Sequence, residues 1–259
     1  MQIYFGNNIK DKIKILMVTF TRFISYWLRK KYIFLEKIYR HFDNKLMMGT
    51  YVRVYGLVYN LIDYNSLVVI SPFHEEWIWK ILKPNRGEVF IDIGAHIGKY
   101  SLPLSRRASL VIAIEPHPLN YEKLLLNINK NGIKNVIPLN IAAWKEDCII
   151  NLNIRSFSGG HSIKIHEGLN SIKVKARKID TIVENLKLDK VDWVKIDVEA
   201  AETEVIMGMK KVLEKYKPKI IIEIWDENFD KVKALLEEKG YMLERISREH
   251  YYYAKPKTN

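Results

Sequence analysis

Short apolar runs alternate with amphipathic stretches from residue 88 almost to the end of the chain. The first five runs are continuous and rich in Val and Ile, which predicts strands covered on both faces. We place strands at 88–93, 109–115, 135–140, 191–197, 219–225, 241–246 and 249–255. From the 3.6-residue periodicity we place helices near 98–107, 118–131, 202–215 and 228–239. Five strands alternating with helices predict a parallel α/β sheet with helices on both faces, and the last two strands are predicted to form a hairpin.

The front of the chain follows a different pattern. Residues 1–47 hold ten Lys or Arg and only three acids, together with Trp27 and several phenylalanines. The apolar run from residue 13 to 28 is interrupted by Lys14 and Arg22, so it is too short and too charged for a span of about 20 apolar residues. We predict a basic helical extension over 1–47, in which residues 10–45 form one or two amphipathic helices that contact an anionic membrane surface. The alternative is that the extension packs on the main domain or, in a homodimer, on a second subunit.

One α/β domain is predicted over residues 48–259. Its first part, 48–71, reads as an N-terminal β-hairpin with the turn around Asp63–Asn65, because "TYVRVYGLVYN" and "NSLVVIS" are rich in Val and Tyr. The next stretch, "SPFHEEWIWKILK", predicts a helix that begins at Pro72 behind a serine cap. Residues 142–190 form an insertion on the predicted substrate side, and its "SFSGGHS" is the most loop-like sequence in the chain.

The charge and the cysteine content of the chain limit the kinds of partner and the cellular compartment that we expect. The 259 residues include 42 Lys or Arg and 30 Asp or Glu, a net charge of +12, which favours contact with phosphate, anionic lipid or an acidic surface. Cys148 is the only cysteine, so no intrachain disulfide can form. A reducing, cytoplasmic location is therefore expected, at the inner face of the membrane if the extension binds lipid.

The turn after the first predicted strand carries the first chemical signal. In open α/β sheets this turn usually helps to form the ligand site. Asp92 ends the strand, and Gly94 and Gly98 follow it. A nicotinamide-binding G-x-G-x-x-G turn would need glycine where this chain has His96 and Lys99. The remaining pattern is D-x-G-x-x-x-G, in which an acid precedes the two glycines. An acidic side chain suits a ligand with a positive ammonium group better than a negatively charged pyrophosphate.

A second acid ends the next strand. Glu115 in "VIAIEPHP" follows Gly94 by roughly the 20 residues at which an acid commonly binds a ribose hydroxyl pair. The two signals together predict a cofactor that carries both a ribose and an amino acid, and S-adenosylmethionine fits that description.

Several motifs resemble the FkbM family of S-adenosylmethionine-dependent methyltransferases in the same order, over roughly residues 72–246. They are "FIDIGAHIGKYS", "IEPHPLNYEKLLLNINKN", "NIAAW", "VDWVKIDVEAAETEVIMGM" and "KPKIIIEIW". The resemblance implies a class I, Rossmann-like methyltransferase with a seven-stranded sheet, whose relatives mostly methylate hydroxyl oxygens of sugars or polyketides. The chain departs from the family at Ala200, where glycine is usual.

The resemblance also implies roles for individual residues. The methionine end of the cofactor would be lined by Asp92, Gly94, Ala95 and Gly98. Its ribose would be held by Glu115 beside Pro116, and its adenine would lie near Asn140 and Ala142. Asp197, at the end of the fourth strand, would lie beside the methyl group.

Methyl transfer from a sulfonium needs an oriented acceptor and, for a hydroxyl, a base. The catalytic candidates are Asp197, Glu199 and His161, and Glu223 is expected nearby at the end of the fifth strand. A divalent ion held by the three carboxylates is the alternative, although no histidine or cysteine spacing indicates a metal site.

We therefore expect transfer of the methyl group of S-adenosylmethionine to a hydroxyl oxygen of a small molecule, sugar or glycan. Two other functions stay open. The basic charge suggests an RNA methyltransferase, but "DVEA" stands after the fourth strand where amino-directed enzymes commonly carry an N/D-P-P-aromatic block. The second function is that of a non-catalytic protein that binds the cofactor, or of an interaction protein tethered to a membrane.

Overall fold

A seven-stranded sheet forms the centre of the protein. The computed structural model describes residues 5–28, 41–165 and 170–257. The strands, in chain order, are β1 (Phe5–Gly6), β2 (Tyr51–Val54), β3 (Leu57–Asn60), β4 (Val89–Ile93), β5 (Leu110–Ile114), β6 (Val136–Leu139), β7 (Ala142–Ala143), β8 (Cys148–Asn153), β9 (Ser171–Arg177), β10 (Trp193–Ile196), β11 (Lys219–Glu223), β12 (Tyr241–Arg245) and β13 (Tyr251–Pro256). The central sheet has the order β12-β13-β11-β10-β4-β5-β6, and β13 runs antiparallel to both of its neighbours. This arrangement confirms the predicted class I methyltransferase fold.

Helices cover both faces of this sheet. They are α1 (Ile9–Leu28), α2 (41–47), α3 (Tyr64–Val69), α4 (Ile78–Ile81), α5 (Ser101–Leu104), α6 (Pro118–Lys130), α7 (Ile179–Asn185), α8 (Glu202–Met207), α9 (Lys210–Lys215) and α10 (Phe229–Glu238). One core contains Phe90 and Leu124 with the N-terminal elements, and the other contains Ile91 and Val205 with α7 to α10. Phe90 and Ile91 fall in different cores because successive strand residues point to opposite faces of the sheet.

Residues 48–71 contain a hairpin, but it lies within the first of the two predicted strands, and the turn predicted around Asp63–Asn65 is wrong. Strands β2 and β3 pair through Val54 and Leu57, and the turn residues Tyr55 and Gly56 have φ values of 49° and 75°. Positive φ at both positions is typical of the tight turns that join antiparallel strands. The second predicted strand is wrong: "NSLVVIS" contains α3, because Asp63 accepts a hydrogen bond from the Ser66 amide at 2.8 Å and caps a helix there.

The helix predicted from Pro72 begins only at Ile78. Glu75 has a φ of 57°, which interrupts a helix, and its buried side chain accepts hydrogen bonds from Lys99, Tyr100 and Tyr251. These long-range contacts outweigh the local helix signal. The helix predicted over 202–215 is likewise split into α8 and α9 at Gly208, where an added Cβ would lie 2.0 Å from the Trp144 carbonyl oxygen.

The N-terminal extension contains α1 and α2. Val18 is fully buried, and the Arg22 guanidinium forms an ion pair with Asp43 at 2.6 Å, which joins α1 to α2. The part of the predicted amphipathic region at 29–40 lies outside the described residues. Within the ranges that are described, no helix has the length and apolar character required to cross a membrane. The predicted boundary between residues 47 and 48 stays a prediction.

Candidate active site

A cavity of about 260 Å³ lies beyond the carboxyl ends of β4, β5, β10 and β11. Parallel strands end there together, so residues distant in sequence meet at one edge of the sheet. Eight of the predicted site residues line this cavity. They are Gly94, Ala95, Glu115, Pro116, Ala142, His161, Asp197 and Glu199.

The other three predicted cofactor residues are not among those that line the cavity. Asp92 is fully buried and accepts a hydrogen bond from the Ser101 hydroxyl. At Gly98 an added Cβ would lie 2.1 Å from Leu102, so this glycine permits close packing of the following helix. Asn140 donates to the carbonyl oxygens of Glu115 and Pro116 at 2.9 and 3.0 Å. These contacts support the turns around the cavity, and the prediction that the three residues contact the cofactor stays a prediction.

The first turn is built by a close contact between two strand ends. Gly94 has a φ of 85°, and an added Cβ would lie 1.9 Å from the Asp197 carbonyl oxygen. The amides of Gly94 and Ala95 both donate to the Ile114 carbonyl, at 3.0 and 2.9 Å. Glycine is required because only it accepts this conformation without a steric conflict. The turn after β4 therefore lies directly against the end of β10.

Protein donors fix the orientation of Glu115. One carboxylate oxygen accepts from the His96 amide at 2.9 Å, and the other accepts from the His117 amide at 2.9 Å and from the Asn120 side chain at 3.3 Å. Burial raises the pKa of Glu115 to about 7, and the backbone hydrogen bonds oppose this rise. A carboxylate held in this way presents its remaining lone pairs in a fixed direction.

A buried ionic cluster joins Asp197 to the N- and C-terminal parts of the chain. The Lys195 ammonium donates to Asp197 Oδ2 at 2.8 Å. The Tyr251 hydroxyl donates to Glu75 Oε1 at 2.7 Å and lies 3.3 Å from Asp197 Oδ2. Lys99 also donates to Glu75 and completes the cluster. Asp197 was predicted from the sequence, whereas the four residues around it were missed.

The match to known proteins covers most of the residues that line this cavity, from Ile93 to Glu223. Residues 92–243, more than half of the chain, match the Methyltransferase FkbM domain. The chain belongs to the FkbM methyltransferase family. Methyltransferase 1 of Beauveria bassiana (strain ARSEF 2860) is 24% identical over 176 residues, which cover 58% of this chain and 71% of that protein.

Two further matches are more partial. Hexuronic acid methyltransferase AglP of Haloferax volcanii is 31% identical over 129 residues, or 49% of this chain and 52% of that protein. A crystal structure of Methyltransferase FkbM from Methylobacillus flagellatus KT superposes with a TM-score of 0.51 at 18% identity, over 68% of this chain and 45% of that one. The chain thus spans about half the length of these two proteins, and the second comparison shows the fold alone.

The carboxyl groups of this FkbM-family site fall into two groups, those with a lowered pKa and those with a raised pKa. Burial opposes ionisation of Asp197 and Glu75, but the charge of Lys195 lowers the pKa of Asp197. The pKa of Glu75 is lowered by His74, then by the charges of Lys99 and Lys195. Burial and the charge of Asp197 instead raise the pKa of Glu199 to about 8 and that of Glu223 to about 10. At neutral pH, Asp197 is therefore ionised while Glu223 is protonated and hydrogen-bonded to it.

His161 lines the cavity but is a weak base. Its Nδ1 accepts a hydrogen bond from the Arg155 amide at 3.1 Å, and its ring stacks on His117 with 4.0 Å between ring centroids. Burial and the neighbouring histidines lower the pKa of His161 to about 3. Because Nδ1 is occupied by a donor, the neutral ring carries its proton on Nε2 and presents a donor to the cavity. This geometry favours a carboxylate over His161 as proton acceptor.

Ser158 of the insertion contacts the first turn. The amide and hydroxyl of Ser158 both donate to the Asp63 carboxylate at 2.8 Å. The same hydroxyl lies 2.9 Å from His96 Nε2, and the Ser158 carbonyl accepts from Asn120 at 2.9 Å. These bonds connect the insertion, α3 and the turn after β4, so the insertion forms one wall of the site.

The backbone after Asp197 is strained. Glu199 and Ala200 have φ values of 52° and 73°, and an L-residue in this left-handed region costs about 1–2 kcal/mol. Glu202 accepts from the Ala200 amide at 2.9 Å and from Asn228 at 2.7 Å, which holds the turn. The glycine usual in the family at position 200 would take this conformation without strain. The described residues contain no group of three His, Cys, Asp or Glu side chains that could hold a metal ion.

Proposed function

We propose that the protein transfers the methyl group of S-adenosylmethionine to a hydroxyl oxygen of a small molecule, sugar or glycan. The observation that carries this proposal is one cavity with Glu115 at the end of β5, Gly94 in the first turn and ionised Asp197 at the end of β10. Membership of the FkbM methyltransferase family supports the reaction class. The name of AglP, a hexuronic acid methyltransferase, supports a sugar as one acceptor to test.

The cavity suits a cationic cofactor with a ribose. Glu115 would bind the ribose hydroxyls beside Pro116, Gly94 and Ala95 would lie against the methionine end, and Ala142 would lie near the adenine. The buried Oδ1 of Asp92 has no hydrogen-bond partner within the described residues, so this acid beneath the turn retains accepting capacity. When bound, the cofactor supplies a methyl group already activated by its sulfonium.

The protein must then orient the acceptor hydroxyl and receive its proton. Asp197 is proposed for both tasks, because Lys195 keeps it ionised and Tyr251 restricts its orientation. Glu199 faces the same cavity, but a pKa of about 8 leaves it mostly protonated at neutral pH. We assign Glu199 to acceptor binding, with proton transfer by Glu199 as the alternative at higher pH.

A transfer screen with labelled S-adenosylmethionine tests the proposal. Hexuronic acids, neutral sugars, glycans, small hydroxylated compounds and RNA are offered to the full chain, and labelled products are identified by mass spectrometry. We expect O-methylation of a carbohydrate or small hydroxylated compound, and Asp197→Asn should slow it by about 10²–10⁴-fold. Asp189→Asn, an exposed carboxylate outside the cavity, is the matched control. Methylation of RNA alone, or a normal rate with Asp197→Asn, would contradict the proposal.

Calorimetry with S-adenosylhomocysteine tests the cofactor site separately. Glu115→Ala should weaken binding by about 1.5–3 kcal/mol, the contribution of hydrogen bonds to a charged group. Glu122→Ala, on the exposed side of α6, should leave the affinity unchanged. Equal affinity for both variants would remove Glu115 from the ribose site while leaving the transfer assay to decide the reaction.

A further inference from the structure

Helix α1 exposes a continuous apolar stripe. Along the helix its members are separated by four, three, one and three residues, which places them on one face. Each is 44–70% exposed. Among the side chains of α1 that the structure describes, the stripe consists of Ile9, Ile13, Leu16, Met17 and Phe20. Large side chains grouped in this way differ from the scattered apolar residues of an ordinary surface.

The opposite face of α1 is the one that docks on the protein. Val18 is fully buried and Asp11 is 5% exposed, while Ile15 packs against the core. At about 100° per residue, these three positions lie on the side of the helix away from the stripe. The fixed inner face therefore holds the stripe so that it points outward.

One lysine lies on each margin of the stripe, near the N-terminal end of α1. Lys10 and Lys12 are both exposed, and helical geometry places them about 80° to either side of the line through Ile9 and Phe20. A linear apolar face between two cationic margins matches the negative charge of phospholipid headgroups and the apolar region beneath them. The net charge of +12 adds a longer-range attraction to the same surface.

We infer that this stripe binds an anionic membrane surface, with α1 lying parallel to the bilayer. A second copy of the chain fits less well, because a stable dimer interface contains about 20–30 residues on each side and the side chains that the structure describes contribute five to the stripe. A groove lined by Arg22 of α1 and Tyr64 of α3 shares Asn65 and Phe157 with the active-site cavity. The membrane-binding helix therefore borders an extension of that cavity.

Flotation of the full chain with vesicles tests this inference without reference to methyl transfer. Vesicles of phosphatidylcholine alone are compared with vesicles that also contain phosphatidylglycerol, at low and high salt. We expect binding to the anionic vesicles only, with weaker binding as salt rises. Lys10→Glu with Lys12→Glu should lower the partition coefficient at least about 25-fold, since each basic residue contributes about fivefold. Lys231→Glu with Lys233→Glu, on exposed positions of α10, gives the matched change of charge.

A second pair of variants isolates the apolar contribution. Leu16→Ser with Phe20→Ser should abolish flotation, whereas Ile149→Ser, at a site 68% exposed on β8, should not alter it. Thermal melting and affinity for S-adenosylhomocysteine confirm that each variant is folded. Flotation that survives Leu16→Ser with Phe20→Ser would overturn the inference. So would absence of binding to anionic vesicles, binding to RNA instead, or a dimer that these two substitutions dissociate.

Discussion

Replacing Gly94 by alanine tests whether contact between two strand ends builds the cavity. The new Cβ would lie 1.9 Å from the Asp197 carbonyl oxygen, so the turns after β4 and β10 would have to separate by about 1 Å. The left-handed backbone costs an alanine about 1–2 kcal/mol, and the forced separation costs about 1–3 kcal/mol more. Reduced entropy of the unfolded chain offsets about 0.4–1 kcal/mol. We expect a loss of about 2–4 kcal/mol in the free energy of unfolding.

Gly132→Ala is the control for Gly94→Ala. Gly132 has a φ of 65°, but nothing lies within 4 Å of an added Cβ, so this variant carries the conformational cost without the contact. Urea denaturation followed by circular dichroism gives both free energies, and calorimetry with S-adenosylhomocysteine reports the site. Gly94→Ala should be the less stable variant by about 1–3 kcal/mol and should also lose affinity. Two variants that agree within about 0.5 kcal/mol, with unchanged affinity, would refute this account of the turn.

Two further predictions concern the charged groups of the cavity. Lys195→Met should destabilise the protein by about 3–5 kcal/mol at pH 7, because it leaves Asp197 and Asp92 buried without their cation; an unchanged urea midpoint would contradict this. The pKa of Glu199 is about 8 in the folded protein against 4.5 for the same side chain in water, so the folded state keeps a proton that the unfolded state has lost. Stability from this group is present at acidic pH and is lost as pH rises towards 8. Between pH 6 and 8 the free energy of unfolding of the wild type, measured by urea denaturation, should therefore fall by up to about 2 kcal/mol relative to that of Glu199→Gln. Parallel pH profiles for the two proteins would show that Glu199 titrates normally.

The sheet was predictable because its strands are defined by their own composition. Buried parallel strands require continuous apolar runs, and the five runs before residue 226 match β4, β5, β6, β10 and β11 with bounds that differ by at most two residues at each end. The short helices and turns were harder to predict. A serine, a proline and two acids favour a helix at residues 71–76, but Glu75 is drawn inward by partners that only the tertiary structure supplies.

The same distinction applies to the candidate site. Gly94 and Glu115 were predictable because a turn and an acid follow consecutive strands. Lys195 carried a signal that was overlooked, since a lone lysine inside the run "VDWVKI" implies a buried cation with an acidic partner. Tyr251 carried no such signal in the sequence. Its partner Glu75 lies 176 residues away, and the contact between them depends on the order of the strands in the sheet. His161 was located correctly in the cavity, but its low pKa comes from burial, which its sequence neighbours do not reveal.

The position of β13 has a consequence for how the protein is made. This strand lies between β11 and β12, and its first residue, Tyr251, donates to Glu75 and contacts Asp197. Chains are synthesised from the N-terminus at about 5–20 residues per second, so Glu75 is complete many seconds before its partner exists. Until residues 251–256 have left the ribosome, β11 has an open edge and the ionic cluster lacks the Tyr251 hydroxyl. The nascent chain can therefore form much of its sheet, but it acquires the intact site only after β13 inserts.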